Sequence, residues 1–354
     1  MPHPIKVLLV EDSPVALAIL KKLLSSSPEV TVAGTASNGK EALEAIAKLQ
    51  PQVICTDLHM KEMDGLELTK QVMTKYPRPI LVISASVQKE NTQRIFELLQ
   101  AGALDIFPKP TTGLPSDYEK VKLDLITKIK VLSGVKVFTK LPPAPAGNTD
   151  RLISELPPSI IEPSFTGTAD IKIVAIGAST GGPQALSKIL SQLPSNFPVP
   201  ILCTQHISVG FLQGLVDWLG SECKLKVKIA QIGELPSAGT VYFAPEVRHL
   251  ELSPQGRFMG STSERVDGHC PSATMMFKST LKVYGKATAG ILLTGMGKDG
   301  AAGLHAIAQA GGTTIAQDEK SCVVFGMPKE AIALGAAQDI LPIQEIAPLL
   351  LKKV

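Results

Sequence analysis

The chain has 354 residues, 44% apolar and 19% charged, and its 35 basic and 32 acidic side chains leave a net charge of +3. That length exceeds one ordinary core and implies two domains, while balanced charge and only 4% aromatic residues argue against a nucleic-acid surface. Five cysteines without a C-x-x-C pair fit a reducing compartment better than a disulfide framework.

The opening MPHPIKVLLVEDS carries too short an apolar run for a signal peptide, and no apolar stretch is long enough to span a bilayer. A soluble cytoplasmic chain is expected. Residues 1–134 alternate the apolar runs KVLLV, VTVAG, QVICTDL, ILVISAS and ALDIF with helix-like stretches such as PVALAILKKLL and GKEALEAIAKL. This alternation indicates a parallel sheet covered on both faces. In such sheets ligands bind beyond the carboxyl ends of the strands. The first run ends in Glu11 and Asp12, the third in Asp57 and the fourth in Ser84, and the fifth leads into Lys109. Clustered carboxylates repel unless a cation joins them, and hard oxygen donors suit Mg²⁺. A carboxylate beside Mg²⁺ and a lysine is a good phosphoryl acceptor. Capping of the next helix is the plainer role of Glu11 and Asp12, but capping does not account for five such groups at successive strand ends.

Residues 135–168 crowd Pro142, Pro143, Pro145, Pro157, Pro158 and Pro163 together. That composition reads as a semi-extended linker with a short helical turn in DRLISEL. From residue 169 the alternation resumes with IKIVAIGAS, VPILCTQHI, VKIAQIG, TVYFAP, AGILLTG, TTIAQ and CVVFG. A second, mostly parallel and doubly wound α/β domain is expected over 169–354.

The strand ends of this second domain carry a hydroxyl, an imidazole and a carboxylate. Ser179 lies in GASTG, a G-x-S-x-G pattern that lets a serine project from a tight strand-to-helix turn. Capping of the next helix by Ser179 or Thr180 is the plainer role. A serine nucleophile needs a base, and of the six histidines only His206 ends an apolar run at the same sheet edge. His249, in a strand, and His269, in a loop, are weaker candidates. Asp299 follows AGILLTGMGK and would hold the imidazole in one tautomer. The order Ser179, His206, Asp299 is not that of an α/β-hydrolase, but such triads are defined by geometry rather than order. Gly295, Gly297 and Gly300 also spell G-x-G-x-x-G, with Asp318 at a ribose-binding distance. Alone this is a weak dinucleotide fingerprint.

LLVEDSPV, DLHMKEMDGLEL, ISAS and GALDIFPKP resemble the two-component receiver domain, of flavodoxin-like fold, along its whole length. The resemblance implies phosphorylation of Asp57 by a chemotaxis histidine kinase, and Mg²⁺ held by Asp12, Asp57 and the His59 carbonyl with Glu11 nearby. It also places Ser84 and Lys109 against the phosphoryl group and Phe107 at the switch aromatic position. Glu11 stands where Asp is commoner, and Lys61 where Pro often is. IGASTGGPQAL, TQHI, LLTGMGKDGA and AQDEKSCVVFGMPKEAI resemble the catalytic domain of chemotaxis protein-glutamate methylesterases. Receiver, linker and catalytic domain cover essentially the whole chain in that family's order. That second resemblance implies hydrolysis of γ-glutamyl methyl esters on methyl-accepting chemotaxis receptors, with deamidation of receptor glutamines and no cofactor for ester hydrolysis. Ser179 would attack, His206 act as base and then acid, and Asp299 orient it. The Met296 N–H would bind the oxyanion, with Thr180 near the nucleophile. Such a protein works at receptor arrays without entering the membrane. The competing reading is a non-catalytic response regulator whose second domain is a binding module.

Overall fold

The computed structural model describes residues 3–85, 89–110, 115–137, 171–262 and 264–354. Ser86 and the expected linker beyond residue 137, with its helical turn, lie outside the described residues.

The N-terminal domain alternates β1 (Ile5–Val10), α1 (Pro14–Ser25), β2 (Val30–Ala36), α2 (Gly39–Leu49), β3 (Val53–Thr56) and α3 (Gly65–Lys75). It continues through β4 (Ile80–Ser84), α4 (Lys89–Ala101), β5 (Asp105–Pro108) and α5 (Pro115–Ser133). Its parallel sheet has the order β2-β1-β3-β4-β5. That is the flavodoxin-like order, whose switch point lies between β1 and β3. Apolar side chains alternate across it: Leu8 and Val10 enter one core cluster, Val7 and Leu9 the other, as a sheet covered on both faces requires. Ser13, Asn38 and Asp64 cap α1, α2 and α3 by accepting a backbone N–H each, so neither Glu11 nor Asp12 serves as a helix cap.

The C-terminal domain opens with β6 (Ile173–Ala178), α6 (Gly182–Leu190), β7 (Ile201–Gln205), α7 (Leu212–Glu222), β8 (Lys226–Ile229) and β9 (Thr240–Phe243). An antiparallel hairpin of β10 (His249–Leu252) and β11 (Phe258–Ser261) follows. The rest comprises α8 (Ala273–Tyr284), β12 (Thr288–Leu292), α9 (Ala301–Gln309), β13 (Thr313–Gln317), α10 (Met327–Ala333), β14 (Asp339–Leu341) and α11 (Ile343–Lys353). Seven strands form one parallel sheet in the order β14-β13-β12-β6-β7-β9-β8. The chain winds one way from β6 to β7 and the other way through β12, so β6 flanks the switch point where a site is expected.

The run CVVFG is not a strand. It crosses the carboxyl edge of the sheet as a loop, joined by a single bridge between Gly295 and Phe325. Its apolar character serves packing between domains: Val323 packs on the N-terminal core, and Phe325 lines a cavity between the two domains.

The domains meet in an apolar seam, Phe96 and Leu99 of one and Leu215 and Trp218 of the other lying in one buried cluster, with a few polar contacts at its edge. Phe96 of α4 stacks on Trp218 of α7, with ring centroids 5.1 Å apart and planes 9° from parallel. Gln184 Nε2 donates to the Ala103 carbonyl at 2.9 Å. Thr180 Oγ1 donates to Asp105 Oδ2 at 2.7 Å, and Asp105 also pairs with Lys128 of its own domain. Between these contacts lies a cavity of about 940 Å³, lined by Met73, Leu99, Leu104, Trp218, Val323 and Phe325 among others. Among the described residues no helix is long and apolar enough to cross a membrane.

Candidate functional site

Each domain gathers its chemistry at the carboxyl edge of its sheet. In the N-terminal domain the Asp57 N–H donates to the Val10 carbonyl at 2.9 Å, continuing the β1–β3 ladder. That bond sets Asp57 beside Glu11 and Asp12, and the three offer carboxylate oxygens within 4.8 Å of one another. Glu11 and Asp57 are buried, and Asp12 and His59 are exposed. Lys109 Nζ donates to Glu11 Oε1 at 3.0 Å and to Asp57 Oδ2 at 2.9 Å. The Lys109 N–H reaches the carbonyl of Ser84 at 2.8 Å. The sheet thus brings together five of the expected groups, while Phe107 is buried in the core.

The electrostatics follow from this crowding. Burial works against the Lys109 charge, but its bonds to Glu11 and Asp57 outweigh burial and raise its pKa. Burial, helped by the Asp57 charge, raises the Glu11 carboxyl despite Lys109. Glu11 Oε2 is buried, 2.8 Å from Lys109 Nζ. Three carboxylates within 4.8 Å of one another against the single ammonium of Lys109 leave negative charge and hard oxygen donors that fit a divalent cation.

In the C-terminal domain three neighbouring strands deliver three residues. Ala178 pairs with Gln205 at the end of the β6–β7 ladder, and the His206 N–H donates to the Ala178 carbonyl at 2.9 Å. On the other flank the Ser179 N–H donates to the Thr294 carbonyl at 3.0 Å. Ser179 sits in the turn into α6, its carbonyl accepting from the Gly182 N–H and from Gln205 Nε2, each at 2.8 Å. Gly295 passes so close that a Cβ there would lie 2.6 Å from Ser179 Cβ, so only glycine allows the approach. Among the described residues nothing accepts from the Met296 N–H, which leaves that donor available beside the serine.

Asp299 is fully buried and accepts four hydrogen bonds. His206 Nε2 lies 2.9 Å from Oδ2, and the Ala273 N–H donates to the same oxygen at 2.7 Å. Ser272 Oγ and the Thr274 N–H donate to Oδ1 at 2.7 and 3.0 Å. The Asp299 carboxylate therefore sits on the N-terminus of α8, where free N–H groups and the helix dipole favour an anion. Burial alone would raise its pKa, but His206, Ser272 and Thr274 outweigh burial and hold it well below the usual carboxylate range. Asp299 is then ionised at neutral pH and fixes the His206 tautomer with hydrogen on Nε2.

The other ring nitrogen, His206 Nδ1, is buried without a hydrogen-bond partner. The hydroxyl of Ser179 thus does not close onto the ring here, and catalytic bonds of this kind commonly tighten only with substrate. His269 stacks face to face on His206, with centroids 3.7 Å apart and planes 2° from parallel. Burial, and next the neighbouring His206, push the His269 pKa down to about 4, so at neutral pH it is an uncharged plate against the His206 ring.

Ser272 and the α8 N-terminus are absent from the sequence-based site, and His269, weighed there only as a weaker candidate for the base, stacks on His206 instead. The clue to His269 is the Asp-Gly pair before it. Asp267 and Gly268 have φ of 51° and 85°, and Val266 and His269 exchange backbone bonds across them, as in a two-residue hairpin turn. Asp318 accepts from the Ser321 N–H at 3.0 Å and from the Ser321 hydroxyl, which commits it to its own turn.

The chain matches the family model of the CheB methylesterase over residues 174–350 and that of the response regulator receiver domain over residues 7–114. A protein-glutamate methylesterase/protein-glutamine glutaminase of Syntrophus aciditrophicus is 41% identical over 349 residues, 98% of each chain. One from Nitrosospira multiformis is 40% identical over 343 residues, covering 97% of this chain and 95% of the relative. The crystal structure of the Thermotoga maritima CheB methylesterase catalytic domain matches with 41% identity and a TM-score of 0.51, covering 52% of this chain and all of that one.

Proposed function

We start from the fact that this chain belongs to the CheB methylesterase family, and we propose that it is a phosphorylation-regulated serine esterase. It hydrolyses γ-glutamyl methyl esters on methyl-accepting chemotaxis receptors in the cytoplasm, releases methanol, and deamidates receptor glutamines by the same route. We assign residues 1–134 to the receiver, 135–168 to the linker and 169–354 to the catalytic domain.

The observation that carries the reading is the buried, unpartnered His206 Nδ1 on a ring whose Nε2 is held by Asp299. The base is therefore Nδ1. It takes the Ser179 hydroxyl proton as Oγ attacks the ester carbonyl carbon, and the Asp299 carboxylate stabilises the imidazolium. The Met296 N–H receives the developing oxyanion. Collapse breaks the C–O bond to methoxide, which leaves as methanol with the proton from Nδ1. Water then repeats the sequence on the acyl-enzyme and returns Ser179 and a glutamate. With a glutamine substrate the leaving group is ammonia.

Asp57 takes the phosphoryl group from the histidine kinase, and Ser84 and Lys109 contact its oxygens. Glu11, Asp12, Asp57 and the His59 carbonyl would hold Mg²⁺, which when bound neutralises charge on the transferring oxygens. Asp105 and Phe107 lie on β5, which leads to Lys109. The Thr180–Asp105 bond therefore ties the residue after the nucleophile to the strand that senses Asp57. In the unphosphorylated protein this docking restricts receptor access, and phosphorylation weakens it.

Methanol release from methylated receptor membranes tests the reading, with and without Mg²⁺ and a phosphodonor. Ser179→Ala should abolish release while leaving Asp57 phosphorylation intact. Equal release by both proteins would support a binding module instead.

A further inference from the structure

His249 lies on β10, fully buried and apart from the three triad strands. Its two nitrogens are both committed. Nδ1 accepts the Ser272 N–H at 3.1 Å, and Nε2 reaches the Glu264 carbonyl at 3.2 Å. This pairing fixes the hydrogen on Nε2, since Nδ1 faces a donor and Nε2 an acceptor. Ser272 is also fully buried. As the cap of α8 it accepts from the Met275 N–H at 3.3 Å, and its hydroxyl hydrogen goes to Asp299 Oδ1 at 2.7 Å. Every polar group of Ser272 is thus aimed, and the imidazole of His249 aims its N–H.

We propose that His249 is a positioning residue for the esterase reaction: it fixes Ser272, and through Ser272 and the α8 N-terminus the carboxylate that orients His206. This rests on the reading of Ser179, His206 and Asp299 as a triad. The reason is the cost of a buried unpaired donor. Without an acceptor at position 249, the Ser272 N–H must turn to find one. That turn moves both the Ser272 hydroxyl and the first N–H groups of α8, three of the four donors on Asp299. His249 touches neither substrate nor reacting atoms. A displacement of about 1 Å this far from the chemistry can cost on the order of a hundredfold in rate.

Two near-isosteric variants separate this role from ordinary core packing. Asn places Oδ1 where His carries Nδ1, so His249→Asn keeps the acceptor for Ser272. Gln places Nε2 near His Nε2, so His249→Gln keeps only the bond to Glu264. Each loses one of two hydrogen bonds, and their melting temperatures should be alike. In the phosphorylated full chain, His249→Asn should retain kcat for methanol release within about threefold of wild type. His249→Gln should lose roughly 10- to 100-fold in kcat with KM unchanged. Ser272→Ala should lose kcat to a similar extent, and adding His249→Gln to it should cost little more. Equal kcat in the Asn and Gln variants, or activity that merely follows the melting temperature, overturns the proposal. If His249→Gln does not fold, wild-type kcat in Ser272→Ala overturns it independently. Wild type that releases no methanol would instead defeat the esterase reading.

Discussion

Asp105→Ala should free the catalytic domain without phosphorylation. Asp105 Oδ2 accepts the Thr180 hydroxyl at 2.7 Å across the domain boundary, and Thr180 follows the nucleophile. A hydrogen bond to a charged acceptor contributes about 1.5–3 kcal/mol. The Asp105 side chain is 18% exposed and shares its charge with Lys128, so the lower end applies, about 1.5 kcal/mol or roughly a tenfold shift in the docking equilibrium. The Phe96–Trp218 stack and the Gln184–Ala103 bond remain, so docking is weakened rather than abolished. Basal methanol release without a phosphodonor should rise about tenfold at most. The phosphorylated rate should stay unchanged, so activation by phosphodonor shrinks by the same factor. Asp105→Asn, which keeps an acceptor without charge, should fall between. Release would be followed with methylated receptor membranes, Mg²⁺ present throughout. A basal rate equal to wild type in Asp105→Ala, with the phosphorylated rate also unchanged, refutes the latch. A phosphorylated rate that collapses shows instead that Asp105 supports catalysis.

Two further outcomes follow from the same geometry. His269 titrates near 6.5 when unfolded and is pushed down to about 4 when folded, so the folded protein excludes a proton that the unfolded chain binds. Its stability is full above pH 6.5 and declines as pH falls toward 4. The gap of 6.5 − 4 ≈ 2.5 units corresponds to at most about 3 kcal/mol. Melting temperatures across that range should fall more steeply for wild type than for His269→Gln, and parallel curves would contradict the assignment. Gly295→Ala would set a methyl 2.6 Å from Ser179 Cβ. It should destabilise by about 1–3 kcal/mol and cut kcat at least tenfold by displacing the nucleophile. Wild-type kcat would show that the turn can yield without cost.

The strand ends were the most legible part of this chain. Glu11, Asp12, Asp57, Ser84 and Lys109 lie at or just beyond the strand ends of the N-terminal runs, and Ser179 and His206 just beyond β6 and β7, whereas Asp299 lies farther past β12 and is placed by the N-terminus of α8. In a parallel sheet the position beyond the last strand residue is fixed by the ladder, so a linear pattern maps onto a place. The support beneath Asp299 could not be found this way. Ser272 and His249 reach it through a helix terminus and a hairpin whose docking no local period encodes. CVVFG misleads for a related reason: apolar residues that face another domain look the same in sequence as apolar residues within a strand. The ring orientation of His206, Nε2 to the acid and Nδ1 free, is likewise a matter of approach angle rather than residue order.

The cavity of about 940 Å³ between the domains bears on how strongly the two halves can hold each other. It is a partly open cleft whose lining includes Lys136, Glu319 and Lys320 besides apolar side chains, so those atoms face water rather than a close-packed interior. The seam is thus an apolar contact, with Phe96 and Leu99 of one domain and Leu215 and Trp218 of the other in one buried cluster, and a partly open cleft beside it. Larger side chains lining the cleft should strengthen the seam and dull the response to a phosphodonor, read as a smaller rise in methanol release.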